Sequence, residues 1–191
     1  MISEVPPVPE ENLVQIDLKQ FVEWESLNDT IMGGSSQASC EPIPDGLLLK
    51  GDLIEEGGGF VSCRSPLISP SLNLSKYRGF KIDVEGQGRT LKFGVSCKKS
   101  PFGISKILPG AIKWVALIPT KDFGITSIKI PFKSLEPAIR AKQVPFPIHF
   151  DASCVNQFQI LHSKFGQPGK MNPGFKAGPF KILLRSIDVY S

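Results

Sequence analysis

The sequence has no long hydrophobic run and no recognisable targeting segment. Its longest apolar stretch, around residues 114–118, is far too short to cross a bilayer. The first eleven residues contain three prolines and three acids, without the basic and apolar regions of a signal peptide or the composition of a transit peptide. We therefore expect residues 1–11 to form a flexible arm. We also expect a soluble, cytoplasmic protein with at most peripheral contact with a membrane.

The sequence also lacks the short motifs of common catalytic sites. There is no G-x-S-x-G elbow, no H-E-x-x-H zinc motif and no phosphate-binding glycine loop between a strand and a helix. Of the two histidines, His149 stands two residues from Asp151, so that both would share one face of a strand, but no third ligand is nearby. Scattered acids could pair as glycosidase carboxylates, yet nothing sets their separation. We expect no catalytic residue, no metal and no cofactor.

Closely spaced cysteines are absent as well. The four cysteines stand far apart at positions 40, 63, 97 and 154, without a C-x-x-C pair. A zinc site needs some ligands close together in the sequence, so this spacing argues against one. Four cysteines could form two disulfides, but no sign of secretion accompanies them, and we expect them to be reduced.

Glycine and proline, in contrast, are plentiful: 18 and 17 of the 191 residues, spread along the chain. This distribution is typical of many short strands joined by tight turns. No helical period persists for three turns, which excludes parallel α/β folds with crossover helices. The net charge of +4 is too small and too dispersed for a dedicated nucleic-acid-binding protein. We expect one all-β sandwich or jelly roll over residues 12–191.

Alternation of apolar and polar residues predicts about ten short strands. The alternation is clean at residues 80–84 and 91–97 and moderate at 13–18. Turn residues bracket two further strands at 46–53 and 60–64, and the others are 111–118, 125–132, 155–161 and 180–190. The turn between Gly86 and Gly88 predicts that strands 80–84 and 91–97 pair as a hairpin. Residues 134–140 alone have a helical pattern, which Pro137 limits to about one turn.

Two segments combine glycines with turn-forming and apolar residues. In the first, residues 24–36 (WESLNDTIMGGSS), Asn28 and Asp29 are turn formers whose side chains can bond nearby backbone amides. The following pair, Gly33 and Gly34, permits a positive φ or a very close backbone approach, beside the adaptable side chain of Met32.

The second segment, residues 57–64 (GGGFVSCR), is a glycine-rich turn that leads into a strand. We expect this strand to carry Phe60 inward and to end at Arg64, whose guanidinium could bind Asp29 or an acid on a partner. The two segments either lock one end of the sandwich together or form a binding rim. The candidate rim residues are Trp24, Asn28, Asp29, Met32, Gly33, Gly34, Ser36, Gly59, Phe60 and Arg64.

The same two segments resemble the signature of the complex I intermediate-associated protein 30 family, W-x-x-x-N-D-x-[VI]-M-G-G-x-S followed by G-G-F-x-S-x-R. The first half is filled by Trp24, Asn28, Asp29, Ile31, Met32, Gly33, Gly34 and Ser36, and the second by Gly58, Gly59, Phe60, Ser62 and Arg64. Further similarity, from about residue 13 to the last strand, includes a G-x-G-R turn at residues 86–89 and a G-P-F element at residues 178–180.

The resemblance implies a galactose-binding-like β-sandwich and a role in assembling respiratory complex I or, in photosynthetic lineages, photosynthetic complexes. The lack of a transit peptide points to a bacterial, for instance cyanobacterial, cytoplasm. The sequence departs from the family pattern at Thr90 and Leu91, at residues 140–145, and in a long basic loop at residues 163–178. Candidate partner contacts in this loop are Lys164, Phe165, Lys170, Phe175 and Lys176.

The sequence leaves three functions open. We expect a non-catalytic assembly factor that binds protein subunits or intermediates of a membrane-bound electron-transfer complex and no specific nucleic acid. The alternative is a small-ligand or carbohydrate-binding module, which needs aromatic side chains exposed on a concave face, and only two tryptophans and two tyrosines supplement the phenylalanines. An enzyme would rest only on the scattered acids and on the pair His149 and Asp151.

Overall fold

The computed structural model describes residues 12–16, 22–98 and 112–191, and the predicted N-terminal arm, residues 1–11, lies outside these ranges. Within them the protein is an all-β sandwich, as predicted, and its longest helical element is a four-residue 3-10 turn. None of the described stretches forms a helix that could span a membrane. The strands are β1 (Leu13–Ile16), β2 (Glu25–Ser26), β3 (Gln37–Ile43), β4 (Gly46–Leu53), β5 (Phe60–Arg64), β6 (Gly79–Glu85), β7 (Thr90–Cys97), β8 (Ile112–Pro119), β9 (Thr126–Pro131), β10 (Glu136–Ile139), β11 (Lys142–Gln143), β12 (Val155–Ser163) and β13 (Gly178–Tyr190).

The strands form two antiparallel sheets. The six-stranded sheet has the order β3-β4-β13-β6-β9, and β1 also pairs with the last four residues of β13. The seven-stranded sheet has the order β11-β10-β8-β7-β12-β5-β2. The first half of β13 pairs with β4 and its second half with β6, so β13 connects the β3-β4 hairpin to β6 and β9.

The hydrophobic core lies between the two sheets. Its centre is a cluster of phenylalanines: Phe80 comes from the six-stranded sheet, and Phe93 and Phe158 come from the seven-stranded sheet. The Phe80 ring meets Phe93 and Phe158 edge-on, at centroid distances of 5.3 and 5.7 Å, and Phe93 stacks on Phe158. Because strand side chains alternate, each strand of the seven-stranded sheet also presents an outer row that faces away from this core.

The outer face of the seven-stranded sheet is covered in part by the loop that follows β12, residues 164–177, here called the basic loop. Its Gly169 N–H donates a hydrogen bond to Ala141 O, 2.9 Å away in the turn between β10 and β11. Its Pro168 helps to line a cavity of about 270 Å³ with Val115 and Leu117, which lie on the outer row of β8. Where a loop covers the outer face of the sheet in this way, polar side chains of the outer row become buried.

The structure departs from the predicted secondary structure in three places. Strands β6 and β7 do not form a hairpin, because β6 lies in the six-stranded sheet and β7 in the seven-stranded one, and the turn at residues 86–88 crosses between the sheets. Residues 136–139, expected to be helical, form β10 and pair with β8. Strand β3 was not predicted, although it forms a long hairpin with β4 around Pro44 and Asp45. Alternation reveals which side chains face a core, but both sheets face the same core, so it does not reveal a strand's neighbour.

The expectation of four reduced cysteines is also wrong. Cys40 in β3 and Cys63 in β5 form a disulfide, with their Cα atoms 5.9 Å apart, while Cys97 and Cys154 are free. Since β3 and β5 belong to different sheets, the disulfide is a covalent link across the sandwich.

Loss of this link should destabilise the fold. Closing a chain segment of 23 residues restricts the unfolded state, so we expect C40A/C63A to lower the free energy of unfolding by about 3 kcal/mol. Urea denaturation with and without reductant measures this. C97A is the matched control and should respond to reductant as the wild type does. Equal stability of the wild type with and without reductant would contradict the link.

Candidate functional site

The two signature segments meet at the buried carboxylate of Asp29, whose side chain is fully excluded from solvent. Its Oδ1 accepts a hydrogen bond from the Ser36 N–H at 3.0 Å. Its Oδ2 accepts bonds from the Ser36 hydroxyl at 2.6 Å, the Gly59 N–H at 2.7 Å and the Phe60 N–H at 3.4 Å. One carboxylate thus joins two loops that are 30 residues apart in the sequence.

Two glycines make room for this carboxylate. A Cβ atom at Gly34 would lie 2.8 Å from Asp29 Cβ, and one at Gly58 would lie 2.6 Å from the same atom. Cβ atoms do not approach other carbons so closely, so any larger residue at either position would displace Asp29. The glycines of the two segments therefore allow close approach of both loops to the acid.

The hydrogen bonds keep Asp29 ionised. Burial alone would raise its pKa, but the bonds from the Ser36 hydroxyl and from the amides of Gly59, Ser36 and Phe60 outweigh burial, so the pKa lies below its usual value. A buried charge of this kind is stable only when its acceptor oxygens are satisfied, as they are here.

Further bonds tie the same loop to both sheets. The Ser36 hydroxyl also accepts a bond from the Ile54 N–H at 2.9 Å, just after β4. The Asn28 Nδ2 donates to Ala38 O in β3 at 3.2 Å. On the other side, the Ser62 hydroxyl of β5 donates to Leu27 O at 2.6 Å. The backbone of the first segment is consequently held at several points.

Three predictions about the candidate rim residues need correction. Trp24 is buried in the core rather than at a rim. Phe60 does not point into the core, which β5 enters through Val61 and Cys63. Arg64 does not bind Asp29; its Nη2 lies 3.8 Å from Glu25 Oε2 instead.

The large signature side chains that remain exposed lie on the 3-10 turn Asp29–Met32. Ile31 and Met32 expose 65% and 73% of their surface, and the turn ends at Gly33, whose φ of +87° disfavours other residues. Ile54, which contacts Ser36, is also exposed, and the exposed Glu55 and Glu56 follow it. We call Ile31, Met32 and Ile54 the apolar tip.

The basic loop is well anchored. Asn172 Nδ2 donates to both Thr90 O and Ser163 O, each at 2.9 Å. Phe175, predicted to be an exposed contact, instead stacks on the buried His162 ring at a centroid distance of 5.3 Å. Phe165 is 41% exposed and lies beside the Lys164 ammonium.

The other two candidate lysines of this loop are exposed. Lys170 lies near the loop's tip, where its carbonyl accepts a bond from the Gly166 N–H, and the Lys176 ammonium lies 3.7 Å from Asp122.

His162 fixes the far end of this loop. Its Nδ1 contacts Thr90 O at 3.0 Å, and its Nε2 accepts a bond from the Lys176 N–H at 3.1 Å. Burial, with the nearby charges of Arg89 and Lys176, lowers its pKa to about 4, against the opposing effect of its contacts with backbone groups. The ring is therefore neutral at pH 7.

His149 and Asp151 do not form a strand-borne dyad. Both are exposed in the segment before β12, where the Asp151 carboxylate accepts bonds from the Ser153 N–H and hydroxyl. Among the described residues no group of three His, Cys, Asp or Glu side chains could hold a metal ion.

A polar network on the outer face of the seven-stranded sheet was not anticipated from the sequence. The Lys113 ammonium donates to Gln159 Oε1, and Gln159 Nε2 donates to the Ser62 hydroxyl at 2.9 Å. Lys92 lies on the same face and is buried. In the sequence these residues occupy the polar positions of alternating strands, a pattern that normally indicates solvent exposure.

The sequence model of the family described as complex I intermediate-associated protein 30 matches residues 14–184, and the chain belongs to this family. No curated protein matches.

Solved structures with this fold include carbohydrate-binding modules. The family 11 module of the cellulase Lic26A-Cel5E from Clostridium thermocellum superposes with a TM-score of 0.62 at 15% identity, covering 96% of this chain and 95% of that one. The same family's module from this organism, in complex with a β-1,3-1,4-mixed-linked tetrasaccharide, gives a TM-score of 0.63 at 16% identity over 94% of both chains. A family 30 module of the cellulosomal cellulase Cel9D-Cel44B from the same organism gives 0.53 at 17% identity, covering 93% and 96%. At these identities the likeness shows the galactose-binding-like sandwich fold alone.

Removing the charge of Asp29 should destabilise the whole protein. In Asp29→Asn an amide group would face the N–H and O–H donors that now surround the carboxylate, so we expect a loss of about 2 to 4 kcal/mol in the free energy of unfolding. Asp52→Asn, on the exposed side of β4, is the control and should change stability by less than about 0.5 kcal/mol. If the two variants prove equally stable in urea, Asp29 does not have this structural role.

Neutral His162 should make stability depend on pH. Because its pKa is about 4 when folded and near 6.5 when unfolded, the unfolded state takes up the proton first, and stability is lost as the pH falls from 6.5 towards 4. The stability advantage of the wild type over His162→Asn should shrink by up to about 3 kcal/mol over this range. Denaturant unfolding of both proteins at several pH values measures it, and a constant difference would contradict the assignment.

Proposed function

We propose that this protein is a non-catalytic assembly factor that binds protein subunits or assembly intermediates of a respiratory, NADH dehydrogenase-type, or photosynthetic membrane complex. It would act from the cytoplasm, with at most peripheral contact with the membrane. Family membership supports the class, since the family is named for its association with complex I intermediates. The observation that carries the proposal is the exposure of Ile31 and Met32 on a turn that Asp29 holds rigidly.

The construction of this turn suits protein recognition. Large apolar side chains that are exposed and close together favour contact with a partner, because binding removes them from water. A turn whose backbone is fixed before binding loses little conformational entropy when the partner docks. Met32 adds an unbranched, polarisable side chain that can adapt to an apolar partner surface.

The charges beside the apolar tip indicate the character of the partner surface. Glu55 and Glu56 are exposed next to Ile54, so the rim of the tip is acidic on this side. We therefore expect a partner surface with an apolar depression for Ile31 and Met32 and with basic side chains near Glu55 and Glu56.

Affinity purification of the tagged protein from its own organism, with quantitative mass spectrometry, tests the proposal. We expect the wild type to recover subunits of an electron-transfer complex. In I31S/M32S this recovery should fall by about tenfold or more, as expected when anchor side chains are removed from an interface. The melting temperature should stay unchanged because neither side chain belongs to the core.

Phe123→Ser is the matched control. Phe123 is 91% exposed in the turn between β8 and β9, so its loss removes exposed apolar surface outside the apolar tip. Equal recovery by I31S/M32S and Phe123→Ser would refute the assignment of the tip. Recovery of no complex subunit by the wild type would refute the assembly role and favour the small-ligand or carbohydrate-binding alternative.

A further inference from the structure

The outer face of the seven-stranded sheet carries three cations, on β5, β7 and β8, and β12 lies between β5 and β7. By the register of the sheet, Arg64 in β5 stands opposite Gln159 in β12, and Gln159 stands opposite Gly94 in β7. Lys113 comes from β8, two residues along from the partner of Gly94, and its side chain reaches Gln159. Lys92 precedes Gly94 by two residues on the same face of β7.

A chain of hydrogen bonds orients this cluster. Ser62 donates its proton to Leu27 O, so its oxygen is left to accept a bond from Gln159 Nε2. This fixes the Gln159 side chain with Oε1 directed to the Lys113 ammonium. An ammonium has three N–H donors, and Gln159 uses one of them, so Lys113 retains donors for another acceptor.

The cluster has little negative charge to balance it. Among the described residues no carboxylate lies within ion-pair distance of Lys92 or Lys113, and Arg64 has only the long contact of 3.8 Å with the exposed Glu25. On the described strands of this face the remaining acid is Glu136, which is exposed on β10 opposite Val115. Lys92 is only 6% exposed, and its ammonium forms no hydrogen bond with the described part of the chain.

An unbalanced buried cation is unfavourable for folding. Burial lowers the pKa of Lys92 to about 8, and burial together with the charge of Arg64 lowers the pKa of Lys113 to about 8. Both ammonium groups are still mostly protonated at pH 7. Titratable groups with perturbed pKa values are concentrated at functional sites.

We propose that this face is a binding site for an oxyanion, a carboxylate or phosphate group of a small ligand, held by the Lys113 ammonium and the Arg64 guanidinium, with Lys92 as a further cation. The site is distinct from the apolar tip and does not depend on the proposed function. Arg64 and Lys113 are both partly exposed, which leaves a route for the ligand. The guanidinium can bind two oxygens of one anion, and the ammonium can bind a third.

Glycine at position 94 leaves space beside Gln159 at the buried centre of the site. It lies between Gln159 and Val115 in the register, so a larger side chain there would stand among the side chains that are proposed to bind the anion. The nearest atom to a Cβ at this position would be 3.7 Å away, an ordinary contact, so the fold itself does not demand a glycine. Packing does not explain the absence of a side chain here, which leaves room for a bound group beside Gln159.

Titration calorimetry of the whole protein at low ionic strength tests the site, with inorganic phosphate and acetate as separate probes and chloride as the ionic-strength control. We expect saturable binding of at least one probe. Lys113→Met, which keeps the apolar stem of the side chain, should weaken binding by about tenfold or more, as expected for loss of a charged hydrogen bond. Lys81→Met is the control, since Lys81 lies in the six-stranded sheet and is paired with Asp83.

The outcomes separate the two chemistries. Binding of phosphate alone identifies a phosphate ligand, and binding of acetate identifies a carboxylate ligand. Binding of neither, or equal affinities of the wild type and Lys113→Met, overturns the proposal. If Lys113→Met fails to fold, Arg64→Met replaces it, with the same expected loss of affinity.

Stability without ligand provides a second readout. If Lys92 is retained for an anion, Lys92→Met should be at least as stable as the wild type in chloride buffer, because the substitution removes a charge that has little exposure and no ion-pair partner in the described part of the chain. A lowered melting temperature of Lys92→Met would mean that this lysine supports the fold, which would contradict its place in the site.

Discussion

A single buried carboxylate organises one end of this sandwich. Asp29 accepts hydrogen bonds from a turn of its own segment and from the glycine-rich turn before β5, so each loop is the other's support. The family pattern follows from this arrangement: the acid, the serine that donates to it, and the glycines that let two backbones approach are all parts of one contact. Weakening it would release both loops together.

This contact separates stability from recognition within a few residues. Asp29 and Ser36 are fully buried, whereas Ile31 and Met32, in the same turn, are mostly exposed. The inner residues set the shape of the turn, and the outer ones are free to meet another surface. A chain of hydrogen bonds from Leu27 through Ser62 and Gln159 to Lys113 connects this loop with the outer face of the seven-stranded sheet. Arg64 lies on the same face, on the strand that carries Ser62.

The sequence predicts single strands better than their arrangement. The bounds of β4 and β5 match the prediction because glycines and prolines bracket each run. The hairpin of β6 and β7 fails because pairing depends on the sheet order, which alternation does not contain. Charge alone allows Arg64 to bind Asp29 or an acid on a partner, but backbone N–H groups and one hydroxyl satisfy Asp29. Lys113 and Gln159 are 46 residues apart, and only the register brings them together.

The two halves of the signature are joined in space but separated in the chain by the hairpin of β3 and β4, which turns at Pro44 and Asp45. That turn lies at the opposite end of the hairpin from Asp29, so the hydrogen bonds of Asp29 do not fix the length of the hairpin. Evolution can therefore lengthen or shorten this hairpin without moving either loop, provided that residues are gained or lost in pairs, which keeps each side chain on its own face. Variation in chain length among relatives should accumulate at this turn, and the segments on either side of Asp29 should resist it.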